Sequence, residues 1–132
     1  MGSSTAIIID DDPDHSQIFS ELLNLLKIRV LGIGNTGFDA IDLTTTLKPD
    51  IVFLDIHMPE LNGFEALKEI KKRSVKTHVV IITSDKFIDE KQLSEYGSLS
   101  TIFKPFDMDQ VMKVIEKIKV IDNTVIESEK VK

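Results

Sequence analysis

The 132-residue sequence has no cysteine, no tryptophan, a single tyrosine and only four prolines. Without cysteine, disulfides, thiolate catalysis and zinc–thiolate sites are excluded. No apolar run approaches the roughly 18 residues that a membrane-spanning helix needs, so we expect no membrane partner. Cationic residues are in the minority, 16 Lys and Arg against 22 Asp and Glu. The resulting net charge of −6 argues against a nucleic-acid partner, whose binding surface would be basic.

Length and composition indicate one globular domain. Hydrophobic residues make up 42% and charged residues 29% of the sequence, as in proteins that fold around a core. We expect a single domain over residues 1–122 and a polar, frayed tail over 123–132, which leaves no room for a second, effector domain. Residues 1–4 carry no positive charge of the kind found in a signal peptide, so we expect a cytoplasmic protein.

Short apolar runs alternate with longer amphipathic stretches. Three consecutive isoleucines in the run Ala6–Ile9 favour a strand that is buried on both faces. Four further strands are predicted at 29–33, 51–54, 79–82 and 99–103. The segment between Thr83 and Gly97 is short and weakly patterned, so we expect an abbreviated or irregular fourth helix. Because alternating strands and helices require parallel crossovers, we predict an α/β fold, a doubly wound five-stranded parallel sheet with helices on both faces.

Polar residues stand where four of these strands end. Asp10 and Asp11 follow the first strand, Asp55 the third, Thr83 the fourth and Lys104 the fifth. Ligands of such sheets bind beyond the carboxyl ends of the strands, at the point where the strand order reverses. We therefore expect these side chains to meet at one edge of the sheet.

The chemistry of this group of side chains points to phosphoryl transfer. Three clustered carboxylates need a compensating charge, and their oxygens suit Mg²⁺. The ammonium of Lys104 supplies a second positive charge, so the group would attract a phosphoryl group. A carboxylate in such surroundings can be a nucleophile and form an acyl phosphate, while Thr83 donates a hydrogen bond to an equatorial oxygen.

Taken one at a time, the polar residues have simpler structural interpretations. Acidic residues favour helix N-termini, so Asp12 and Asp14 are predicted to stabilise the start of the first helix. Thr83 alone suits a strand, because β-branched residues fill strands. His15 and His78 are predicted to be surface residues. Only the combination of carboxylates and lysine at one predicted edge favours the metal site.

Four segments together resemble the receiver domain of two-component response regulators. They are residues 7–13, 49–63, 81–84 and 103–106, in this order and at these spacings. The resemblance extends over residues 5–121. It implies a CheY-like, flavodoxin-like (βα)5 fold with strand order 2-1-3-4-5.

By this resemblance, Asp55 is the phosphoacceptor. It would take a phosphoryl group from a phosphohistidine of a sensor histidine kinase or a histidine phosphotransfer protein. Mg²⁺ would be held by Asp55, by Asp11 directly and by Asp10 largely through water. The backbone carbonyl of His57 would complete the metal site. The phosphorylated form would switch a surface for an unidentified downstream protein, as a monomer or as a phosphorylation-dependent dimer.

The resemblance also assigns roles around the phosphoacceptor. Thr83 would contact the phosphoryl group and report its presence, and Lys104 would pair with the acyl phosphate. Ser84 matches a small residue that leaves the site accessible, and the peptide bond before Pro105 is expected to be cis. The residues expected to be structural are Pro59, Gly63 and Pro105.

Three residues depart from the family pattern or occupy its variable positions. Thr101 stands where the family often has Tyr or Phe, so the conformational readout would rely on Thr83 and on backbone shifts. His57 and Asp85 lie two residues beyond Asp55 and Thr83. In the family, side chains at these two positions face the phosphoryl group and tune its hydrolysis.

Two other functions remain open from the sequence. A phosphatase of the haloacid dehalogenase type would use Asp10 and Asp12 as its Asp-x-Asp motif. Against it, Asp14 stands where that motif has Thr or Val, and no acidic pair follows Lys104 on a later strand. A pseudo-receiver would instead dock a partner without phosphorylation. A complete set of site residues argues against it.

Overall fold

Strands and helices alternate along the whole of the computed structural model, which describes residues 4–58, 60–74 and 76–131, with side chains up to residue 123. The strands are β1 (Thr5–Ile9), β2 (Arg29–Gly34), β3 (Ile51–Asp55), β4 (His78–Thr83) and β5 (Ser100–Phe103). The helices are α1 (Pro13–Leu25), α2 (Gly37–Leu47), α3 (Gly63–Arg73), α4 (Glu90–Glu95) and α5 (Met108–Val131). The alternation predicted from the sequence is confirmed.

The strands form one parallel sheet in the order β2-β1-β3-β4-β5. The chain leaves β1 towards β2 and returns on the other side to β3, so the strand order reverses between β1 and β3. In register, Ile9 of β1 lies opposite Leu54 of β3. The residues that follow these two strands therefore lie side by side at the carboxyl edge, where the ligand site was predicted.

Each face of the sheet packs against helices through its own hydrophobic cluster. Ile8 and Phe53 face α1 and α5, and the ring of Phe19 in α1 contacts Phe53 edge-on at 4.8 Å between centroids. Their chain neighbours Ile7 and Leu54 face the opposite cluster, with α2, α3 and α4. Because successive residues of a strand point to opposite faces and both faces are covered, the central strands are continuously apolar.

Polar side chains cap the N-termini of α1 and α3, the two helices that begin next to the site. The carboxylate of Asp12 accepts the backbone N–H of Asp14 at 2.9 Å, and Pro13 occupies the first helical position of α1. Asp14 lies in the first turn, where its charge favours the positive end of the helix dipole. The Asn62 side chain caps α3 in the same way through Glu65 N–H. The predicted role of Asp12 and Asp14 at the start of α1 is confirmed.

The C-terminal half departs from expectation in one helix. The fourth helix has six residues, as the short segment predicted. The last helix continues to Val131, however, through residues where we expected a frayed tail from 123 onward. The reason is that no glycine or proline stands between residues 108 and 131 to end it. Among the described residues, α5 included, no helix combines the length and apolar character needed to span a bilayer.

Candidate functional site

A lysine ammonium joins two buried carboxylates at the carboxyl edge of the sheet. Asp10 follows β1, Asp55 ends β3, and Lys104 follows β5. The Nζ atom of Lys104 donates to Asp10 Oδ2 at 2.8 Å and to Asp55 Oδ2 at 3.4 Å. Both aspartates are only 7% exposed. Three residues that lie far apart in the sequence thus meet where strand topology predicted.

Asp11 extends the pair of aspartates to a cluster of three carboxylates. One oxygen from each of Asp10, Asp11 and Asp55 lies within 4.8 Å of the others. Asp11 is exposed at the mouth, whereas the other two are buried. An all-oxygen donor set with an open side fits a hard divalent cation that keeps some of its waters. The residues present therefore suit the metal that the sequence predicted.

Burial sets the charge states at the centre of the site. It raises the pKa of Asp55, and the negative charge of Asp10 adds to this, although Lys104 and the His57 N–H act in the opposite direction. Burial also disfavours the ammonium of Lys104, but hydrogen bonds to Asp10 and the charge of Asp55 outweigh it and raise the lysine pKa. Lys104 therefore stays charged at neutral pH. Its charge and the His57 N–H offset only part of the cost of burying the ionised Asp55 carboxylate.

A side-chain hydrogen bond joins the loops after β3 and β4 beside Asp55. His57 N–H donates to Asp55 Oδ1 at 3.2 Å, and the His57 ring lies 2.9 Å from Asp85 Oδ2 through Nε2. This hydrogen bond from His57 lowers the pKa of Asp85. Thr83 is fully buried and its hydroxyl oxygen accepts the Asp85 N–H at 3.0 Å. In this bond the Thr83 oxygen accepts, so the bond does not use the hydroxyl hydrogen.

Two backbone features shape the rim of the site. The Lys104–Pro105 peptide bond is cis, as expected. Gly63 packs so closely on the end of β3 that a Cβ there would lie 2.6 Å from the carbonyl oxygen of Asp55 and 2.6 Å from Ile56 Cα. Only glycine fits this approach. Pro59, the other residue expected to be structural in this loop, lies outside the described residues.

The remaining predicted residues lie near the site or in its neighbouring strand. Ser84 is exposed directly after β4. Thr101 is half-buried in β5, opposite Ile81 of β4, and it supplies no aromatic ring there.

One residue at the site was assigned only to the surface by the sequence. His15 is indeed half-exposed, at 48% of its side chain, but its Nδ1 lies 3.4 Å from Lys104 Nζ. It also lies 3.5 Å from Asp12 Oδ2 and 3.9 Å from Asp10 Oδ2. The sequence feature that could have placed His15 at the site is its position in the first turn of α1, the helix that begins just after Asp10 and Asp11.

Comparison with known proteins assigns the family. The family model for the response regulator receiver domain matches residues 6–116. The chain belongs to this family. Sporulation initiation phosphotransferase F of Bacillus subtilis (strain 168) is 31% identical over 118 residues, covering 89% of this chain and 94% of that protein. Chemotaxis protein CheY of Thermotoga maritima is 30% identical over 115 residues, covering 85% and 94%.

Solved structures give the same assignment. The response regulator domain of Thermotoga maritima CheB has a TM-score of 0.77 and 28% identity, over 89% of this chain and 94% of that one. The receiver fold, the strand order and the function as a phosphorelay receiver are thus confirmed. Several curated relatives are longer proteins, of which this chain spans only 26% to 51%.

The phosphatase alternative has no support in the site. Its second motif residue, Asp12, is the N-cap of α1, with one carboxylate oxygen bound to the Asp14 N–H. Within the described residues, Asp12 does not join the cluster of three carboxylates.

Proposed function

We propose that this receiver domain takes a phosphoryl group from a phosphohistidine onto Asp55. The P–N bond of the donor breaks as a P–O bond to Asp55 Oδ forms, which gives an acyl phosphate. The donor imidazole, protonated on its other nitrogen, leaves as a neutral histidine. The observation that carries the proposal is the ammonium of Lys104 between Asp10 and Asp55, beside the carboxylate cluster. Mg²⁺ would be held by Asp10, Asp11, Asp55 and the backbone carbonyl of His57.

Asp55, Lys104 and Thr83 would each have a separate role in the transfer. Burial leaves the Asp55 carboxylate poorly solvated, which favours its reaction as a nucleophile. Lys104 neutralises one phosphoryl oxygen, and the Thr83 hydroxyl donates to another. Bound Mg²⁺ would supply further charge neutralisation at the transferring group. The domain would catalyse only its own phosphorylation and dephosphorylation.

The pair formed by His57 and Asp85 would modulate the lifetime of the acyl phosphate. Its 2.9 Å contact spans the two loops beside Asp55. Because side chains at these two positions face the phosphoryl group in the family, the bridge would hinder an attacking water and slow hydrolysis. Ser84, which is small and exposed, would leave Asp55 accessible to the phosphohistidine donor. With Thr101 in place of an aromatic residue, the Thr83 loop would carry the conformational signal.

The partners follow from the family. The donor would be a sensor histidine kinase or a histidine phosphotransfer protein, and a downstream protein would read the switched surface, with the receiver as a monomer or a phosphorylation-dependent dimer. The name of the Bacillus relative, a phosphotransferase in sporulation initiation, supports a place within a relay. Family membership also supports a cytoplasmic location.

Phosphorylation of Asp55 with and without metal tests the proposal. The protein would be incubated with acetyl phosphate or with a histidine kinase preparation, with Mg²⁺ or with EDTA, and analysed by intact mass and peptide mapping. We expect a gain of one phosphoryl group only with Mg²⁺, lost in Asp55→Asn and kept in Asp42→Asn, which changes an exposed acid on α2. An unmodified Asp55, beside a known receiver that reacts, would refute the proposal and leave the pseudo-receiver.

A further inference from the structure

The ammonium of Lys104 has a hydrogen-bond acceptor for each of its protons. An ammonium carries three N–H donors. Its three neighbours are Asp10 Oδ2 at 2.8 Å, Asp55 Oδ2 at 3.4 Å and His15 Nδ1 at 3.4 Å. The Lys104 side chain is only 12% exposed, so few solvent molecules can replace these partners. His15 therefore completes the set of contacts that holds the ammonium.

The three acceptors are not equivalent. Asp10 and Asp55 are carboxylates, whereas an imidazole accepts at Nδ1 only in the neutral tautomer that carries its hydrogen on Nε2. A neutral acceptor satisfies one N–H without cancelling the positive charge. The same Nδ1 lies slightly farther from Asp12 Oδ2, at 3.5 Å. The cap of α1 uses the other oxygen of that carboxylate, Oδ1, so Oδ2 is the competing partner if Nδ1 carries the hydrogen.

The contact lies where the site opens to solvent. His15, Lys104 and Phe106 line a groove of about 180 Å³, together with Ile18 and Pro105. Asp10 holds the ammonium on the buried side of this opening, while His15 holds it on the groove side. Without the imidazole, the ammonium would lie closer to Asp10 or turn outward.

We infer that His15 is a positioning residue, which aims the Lys104 ammonium at the phosphoryl group on Asp55 by accepting a hydrogen bond at Nδ1. The inference rests on the proposed role of Asp55 as phosphoacceptor. During transfer, the ammonium exchanges its contact with the Asp55 carboxylate for phosphoryl oxygens. The hydrogen bond to His15 persists through this exchange. It keeps the Lys104 ammonium aligned with the phosphoryl group while the contact with Asp55 is lost.

Kinetics with a small donor test the inference without any contribution from protein docking. The rate of Asp55 phosphorylation by acetyl phosphate would be measured for the wild type, His15→Leu, His15→Asn and Gln17→Leu. Asn places an oxygen near the position of Nδ1, and Gln17 is an exposed residue of the same helix. We expect His15→Leu to lower the maximal rate about fivefold, as for one lost hydrogen bond, with KM unchanged. His15→Asn should recover most of the rate, and Gln17→Leu should match the wild type.

Nitrogen NMR of the metal-free protein provides a second readout that does not depend on phosphorylation. At pH 8, long-range ¹H–¹⁵N spectra should show His15 with its hydrogen on Nε2 and a hydrogen-bonded Nδ1, and Lys104→Met should shift the Nδ1 signal. A hydrogen on Nδ1, or a signal that Lys104→Met leaves in place, would overturn the inference. So would a His15→Leu variant that reacts like the wild type. A wild type that fails to react would instead refute the proposed function.

Discussion

Replacing Lys104 by Met tests whether the ammonium holds the carboxylate pair together in the metal-free fold. Met keeps the length and much of the volume of the side chain but removes its charge. The ammonium lies 2.8 Å from Asp10 and 3.4 Å from Asp55, and none of the three side chains is more than 12% exposed. Its loss leaves two neighbouring buried carboxylates without the cation that neutralises them.

The expected cost follows from this burial. Breaking a buried ion pair by removing one member costs about 3–5 kcal/mol. Because the exposed Asp11 side of the cluster admits water, we expect the lower end, about 3 kcal/mol at pH 7 without metal. For a chain of this size, that loss corresponds to a fall in Tm of roughly 12 °C.

The pH dependence of this loss has a definite sign. The raised pKa of Lys104 means that its stabilisation is present below pH 10.5 and is lost only as the pH rises through the folded-state pKa. Between pH 7 and pH 4.5 the lysine therefore does not titrate. In Lys104→Met, by contrast, protonation of Asp55, whose pKa is already raised by burial, relieves its repulsion with Asp10, so the deficit in stability should shrink on acidification.

Urea unfolding measures both the loss of stability in Lys104→Met and its dependence on pH. The free energy of unfolding would be compared at pH 7 and pH 4.5 in EDTA, and at pH 7 with Mg²⁺. Lys113→Met, at an exposed site on α5, is the matched control and should stay within about 0.5 kcal/mol of the wild type. Equal stability of Lys104→Met and wild type, or a deficit that is the same at both pH values, would refute the reasoning.

Three further variants test other parts of the site. The raised pKa of Asp55 means that this group contributes a loss of stability as the pH rises from 3.8 through that pKa, so the stability of metal-free Asp55→Asn should fall less, or rise more, over this range than that of the wild type in pH-dependent urea titrations. Asp12→Ala removes the cap of α1 and should cost about 1 kcal/mol in thermal unfolding while Asp55 is still phosphorylated; loss of that phosphorylation would contradict a purely structural role of Asp12. Gly63→Ala places a methyl group 2.6 Å from backbone atoms, so it should cost about 2 kcal/mol and slow phosphorylation; unchanged unfolding would contradict the close packing.

Much of the fold could be predicted because the local pattern and the global packing agree. The run Ala6–Ile9 is apolar throughout, since helices cover both faces of the sheet. The position of Asp55 at the end of such a run marks the carboxyl edge of β3. The cap at Asp12 is equally local, because its partners are two and three residues away.

Contacts between distant segments could not be predicted in this way. The bond between His57 and Asp85 joins loops 28 residues apart, and that between His15 and Lys104 joins segments 89 residues apart. Both depend on how far each loop reaches across the site. No periodicity or spacing in the sequence encodes that distance.

The sequence by itself determined the order of strands and helices, the polar residues at the strand ends and the composition of an anionic site with one lysine. The tertiary structure alone decided that Lys104 bridges Asp10 and Asp55 and that His15 lies against the same ammonium. The physical reason is that hydrophobic pattern and turn chemistry act over a few residues. The distances that control charge and hydrogen bonding arise only when the sheet brings its strand ends together.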